Sequence, residues 1–138
     1  GTRVETFLSS GTTITAAAAT WQDTEAVVDI TVDEPVRVRV EANAMLYTNT
    51  DGTYAMLGIK ASGAVGTIIP EQPQGTSATE YGLTPFFGAQ PYGPGFITKY
   101  FDLPAGTSTF RVQARRSTAT GTQSIAYIRL AAEITRVL

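Results

Sequence analysis

The chain has 138 residues, enough for one domain with a true core and too few for two comfortable ones. Its net charge of −2, with no Lys/Arg run longer than Arg115-Arg116, offers nothing to attract DNA or RNA. It holds no cysteine and no histidine, which excludes disulfides, thiolate nucleophiles, imidazole bases and Cys- or His-ligated metals.

Residues 1–20 read as an N-terminal arm or edge segment, and TAAAAT (Thr15 to Thr20) is too short and uncapped for a helix. From Trp21 onward strand signals dominate. VVDITV (Val27 to Val32) is β-branched and ends at the turn Asp33-Glu34-Pro35. PVRVRVEANAML (Pro35 to Leu46) alternates Val36, Val38, Val40, Ala42, Ala44 and Leu46 against Arg37, Arg39, Glu41 and Asn43, a strand with one wet face. TNTDGT is a turn leading into the strand YAMLGIKA (Tyr54 to Ala61).

From Pro70 to Gly95 neither strand nor helix periodicity is visible, and a long ordered loop is expected. Its second half and the next residue, YGLTPFFGAQPYGPGF (Tyr81 to Phe96), pack five of the chain's thirteen aromatics, three of its seven prolines and four glycines into sixteen uncharged residues. Next come the strand FITKYFDL (Phe96 to Leu103), a tight turn at Pro104 to Gly106, and STFRVQARR (Ser108 to Arg116), which alternates Phe110, Val112 and Ala114 against Arg111, Gln113 and Arg115. STATGT is a hairpin loop. QSIAYIRLAAEITRVL keeps Ala126, Ile128, Leu130, Ala132 and Ile134 on one face, a long strand, although Arg129 to Glu133 also reads as helical. About eight short strands predict an all-β antiparallel sandwich, a jelly roll over residues 21–138.

The order of these pieces, above all FDLPAGTSTFRVQARR followed by SIAYIRLAAEI, resembles the small jelly-roll domains of phage and other virion proteins, similar in fold to the C1q and tumour-necrosis-factor family. The match covers residues 20–61 and 99–134. The loop over 70–95 has no counterpart in the family. The resemblance implies a homotrimer serving as capsid decoration, head fibre or tail component, with localisation in the virion and with partners such as the major capsid protein.

Aromatic enrichment with depletion of charge is the composition of an interface core, whereas an uncharged aromatic patch in water is unusual for a monomer. Only 16% of residues are charged against roughly 25% in ordinary domains, in keeping with a covered surface. Tyr81, Pro85, Phe86, Phe87, Tyr92 and Phe96 are therefore the candidate interface residues, with Tyr100 and Phe101 beside them, one of which must face outward. Two other readings stay open for the loop: a lid over its own sandwich, or a glycan platform in a carbohydrate- or receptor-binding module using Trp21, Tyr81 and Tyr92. An extracellular C1q-like domain of cellular origin is a further alternative.

Arg37, Arg39, Arg111, Arg115 and Arg129 share the polar parity of three strands and would form a basic face if those strands shared a sheet. Glu41 and Glu133 lie on the same parity, which favours a solvated, self-paired face. Asp23, Glu25, Asp29, Asp33 and Glu34 lack calcium-loop spacing, and no carboxylate pair can be placed across a cleft, so neither a metal, a cofactor nor an enzyme is expected. No apolar run is long enough to span a membrane, and no membrane partner is expected.

Overall fold

The computed structural model describes residues 2–50, 53–70, 83–85 and 92–138, with 83–85 and Tyr92 placed by their backbone alone. Among these residues every regular element is a strand: β1 (Arg3–Leu8), β2 (Thr12–Thr13), β3 (Gln22–Val32), β4 (Val36–Thr48), β5 (Tyr54–Gly63), β6 (Leu83–Pro85), β7 (Tyr92–Leu103), β8 (Gly106–Arg116) and β9 (Gln123–Val137). They build two antiparallel sheets, β1-β9-β4-β7 with β2 also on β9, and β3-β8-β5-β6. The chain is an all-β sandwich with a jelly-roll arrangement, as its alternating pattern predicts.

Period-2 patterning places the core between the sheets. Val36, Val38, Val40, Ala42, Ala44 and Leu46 of β4 all point inward and are buried. From the facing sheet come Ala55, Leu57, Ile59 and Ala61 of β5 and Phe110, Val112 and Ala114 of β8. The rings of Phe101 on β7 and Phe110 on β8 meet with centroids 5.0 Å apart at 48°, joining the two sheets.

Three features depart from simple alternation. In β9 the expected inward set of Ala126, Ile128, Leu130, Ala132 and Ile134 is corrected at its start: Ile125 and Ile128 are both buried, and Ala126 is only half-buried. Asn43 pairs with Arg129 and Met45 with Ala126, so β9 carries an extra residue against β4 there. Tyr127 takes up this bulge at φ 52° and is 58% exposed. The helical reading of Arg129 to Glu133 gives way to strand, because this stretch lies in the middle of the sheet between β1 and β4. In the stretch expected to be one loop, β6 pairs with β5, and β7 begins at Tyr92 rather than Phe96.

The first twenty residues lie against the sandwich wherever they are described. β1 is an edge strand on β9, with Arg3 opposite Glu133 and Leu8 opposite Ile128. Thr15 to Thr20 is non-helical, and Arg116 holds it by donating to the carbonyls of Ala16 (2.8 Å) and Thr15 (3.1 Å).

Gly95 on β7 is closely packed by leucines from both sheets. A Cβ there would stand 2.6 Å from Leu57 Cδ2 and 2.7 Å from Leu46 Cδ1, and both leucines are fully buried. Gly95→Ala is expected to lower unfolding free energy by about 1–3 kcal/mol through overpacking. A urea midpoint unchanged from wild type would contradict that tight fit.

Candidate functional site

The outer face of the β1-β9-β4-β7 sheet carries the candidate site. Register sets its residues in rows. Phe7, Arg129, Asn43 and Phe96 stand side by side, then Glu5, Ala131, Glu41 and Thr98, then Arg3, Glu133, Arg39 and Tyr100. Beyond the first row Met45 lies opposite Pro94 and Ala126.

Large apolar side chains are left in water on this face: Phe96 at 58% exposure, Tyr100 at 60%, Tyr127 at 58%, Phe7 at 48% and Met45 at 36%. A single exposed side chain of this kind would need no explanation, but several on one sheet face do.

The charged groups between them are matched. Arg3 pairs with Glu5 (3.0 Å), Arg39 with Glu41 (3.0 Å) and Glu133 (3.1 Å), and Arg129 with Glu5 (3.3 Å). The guanidinium carbon of Arg129 also lies 4.9 Å from the centre of the Phe7 ring. At the end of the face Arg37 donates to Asp102 from Nε (2.7 Å) and Nη2 (3.1 Å). These hydrogen bonds hold the Asp102 carboxyl below its ordinary value. Being exposed, the pairs contribute little to stability. Their consequence is electrical: three arginines and three glutamates cancel in the belt beside the aromatics.

The five arginines that would form one basic face if their strands shared a sheet are divided between two sheets. Arg37, Arg39 and Arg129 lie on this sheet because β4 and β9 are neighbours in it, whereas β8 carries Arg111 and Arg115 on the other. Arg111 donates to the Thr24 carbonyl (2.6 Å), and Arg115 is buried. The glutamates do pair with Arg39 as their parity suggests.

Of the candidate interface residues, Phe96 and Tyr100 stand outward on this face. Phe101 is corrected: its parity on β7 turns it inward, 9% exposed, into the core against Phe110. Pro85 and Tyr92 are placed by backbone only, opposite Tyr54 and Tyr47 respectively. Tyr81, Phe86 and Phe87 lie outside the described residues. Trp21, considered above as a sugar platform, is half-buried against the core, and its Cη2 would lie 3.0 Å from a Cβ on Gly58. Phe7, Met45 and Tyr127 were not singled out from the sequence. Met45 continues the wet parity of Arg37 to Asn43 and was available to the same reasoning.

Among the described residues no group of three or more Asp or Glu is placed to hold a metal. Asp23 instead accepts from Gln113 Nε2 (2.7 Å), and Asp29 accepts from the Thr109 hydroxyl.

No protein-family model matches the sequence, and no curated protein matches it either. Solved structures do match in fold. Eiger TNF from S. frugiperda superposes with a TM-score of 0.53 at 11% identity, covering 99% of this chain and 94% of that one. The structure of infectious bursal disease virus, Gx strain, gives 0.55 at 10% identity over 95% of this chain and 32% of the viral chain. The T=1 particles derived from infectious bursal virus give 0.54 at 9% identity over 99% of this chain. This chain spans about a third of the length of those viral chains, covering 32% and 36% of them. Identities this low establish a shared jelly-roll fold, found both in a TNF protein and in a viral particle protein.

Proposed function

We propose that the chain is a non-enzymatic structural subunit of a virus particle, a phage capsid decoration or another head or tail component, which assembles with copies of itself. The observation that carries this reading is the outer face of the β1-β9-β4-β7 sheet. There Phe7, Met45, Phe96, Tyr100 and Tyr127 are exposed beside a belt whose charges are already paired. A neutral face can meet a second copy without like-charge repulsion, while its aromatic side chains supply burial energy. The likeness to a viral particle protein supports the setting, and the resemblance to virion jelly rolls suggests three copies. The uncharged run from Tyr81 to Phe96 is continuous in sequence with β7 and is proposed to extend the same contact.

The test is the solution mass by light scattering behind a sizing column. The wild-type chain is expected near three times 14.6 kDa. The double variant Phe96→Ser/Tyr100→Ser, which alters exposed positions only, is expected near the monomer mass with an unchanged circular dichroism spectrum. A wild-type monomer, or a trimer indifferent to the double change, would remove this face from the assembly.

A further inference from the structure

On the opposite sheet, alternation along β8 directs Arg115 outward, yet it is 7% exposed. Its Nε and Nη1 are sealed from solvent and have no hydrogen-bond partner among the described residues. Among the described residues Asp23, the carboxylate that β3 sets beside this end of β8, is engaged by Gln113. Among the described residues the contact that answers the charge is the Trp21 ring, whose centroid is 5.8 Å from the guanidinium carbon. A guanidinium does not escape by losing its proton, so a buried one without a counter-ion is strongly unfavourable unless an anion meets it.

The surroundings form a built site. Gln113 lies two residues along the same face, and its Nε2 bond to Asp23 settles the amide orientation. That leaves Gln113 Oε1 buried with no partner. Gly58 stands opposite Gln113 on β5, and Met56 opposite Arg115. A Cβ on Gly58 would meet Pro70 at 2.8 Å and Trp21 at 3.0 Å, so the missing side chain is what lets these two rings lie against the sheet. The result is a cation, an acceptor and an apolar roof gathered at one spot.

We propose that Arg115 is the receptor of an oxyanion site bordered by Trp21 and Gln113, taking a phosphate or a carboxylate. Either ion supplies acceptors in the fork geometry that guanidinium favours. Hydrogen phosphate also carries a proton to donate to Gln113 Oε1. The site lies on the sheet opposite the aromatic face and does not depend on how the chain assembles.

Thermal unfolding of the full chain, in a buffer poor in oxyanions, tests it with sodium phosphate and sodium acetate against sodium chloride of equal ionic strength. A rise in Tm of about 3–6 °C is expected at roughly ten times Kd, absent in Arg115→Met. A rise with phosphate alone identifies a phosphate site, and a rise with acetate alone a carboxylate site. No rise beyond the chloride control, or an equal rise in the variant, overturns the proposal. Trp21, the single tryptophan, supplies a readout that holds even if the variant fails to fold. Its emission must change saturably with the effective oxyanion and not with chloride, and a flat titration with both oxyanions also overturns the proposal.

Discussion

Phe110→Ala is expected to remove about 3–5 kcal/mol of unfolding free energy. The ring is fully buried at the centre of β8 and leans on Phe101 across the sandwich, so its loss opens a cavity between two sheets that cannot close independently. Each sheet is a hydrogen-bonded layer, and relaxation of one side chain does not bring the layers together. Domains of this kind hold only about 5–15 kcal/mol in total, so the variant should unfold at a much lower denaturant concentration or not fold at all at room temperature. Guanidinium titration followed by circular dichroism reads the effect directly. A loss under about 1 kcal/mol would mean that the sheets are not joined through this pair.

Gly63→Ala is the second severe change, by a different mechanism. Gly63 ends β5 at φ +85°, a backbone conformation that side chains disfavour. A Cβ there would also stand 2.6 Å from the Thr107 carbonyl oxygen and 3.3 Å from Ser108 Cα. Those are backbone atoms of the neighbouring strand, and the same Thr107 oxygen accepts from the Ala64 N–H (2.9 Å), so it cannot step aside without a lost bond. Strain and clash together are expected to cost about 2–4 kcal/mol. Gly66 provides the control: its φ is +87°, but nothing lies within 4 Å of a Cβ there. Gly66→Ala should carry the strain alone, about 1 kcal/mol. Equal losses at the two positions would show that the contact with Thr107 is immaterial.

What the sequence made legible was governed by whether a residue's neighbours in space were also its neighbours in pattern. β4 is the clearest case, since each inward residue of β4 is an alternate residue of one uninterrupted strand. β9 was read one residue out at its start, because periodicity assumes an even ladder and the bulge at Tyr127 inserts one residue without any glycine to announce it. Whether the arginines share a face was left open for a related reason. Alternation tells which side of its own strand a residue occupies, but only strand pairing tells which sheet that side belongs to. Arg115 shows the third gap: its wet parity is a buried position, and the Trp21 ring that lies beside it is distant in sequence. Of the candidate interface, Phe96 and Tyr100 were found because they flank an unusual composition. Phe7 was not, because RVETFL was taken within an arm and no partner strand could be named for it.

The place of β9 has a kinetic consequence. It follows all the other described strands in sequence, yet it lies inside its sheet, with β1 on one side and β4 on the other. Until it arrives, β1 has no described partner strand and β4 presents a long unpaired edge bearing Val36, Val38 and Val40. Both pairings close loops spanning most of the chain, so folding belongs to the slow regime of milliseconds to seconds set by non-local contacts. A nascent chain therefore carries an open, valine-rich strand edge from the synthesis of β4 until that of β9, and exposure of that edge before β9 docks is the interval in which misassociation between copies competes with folding.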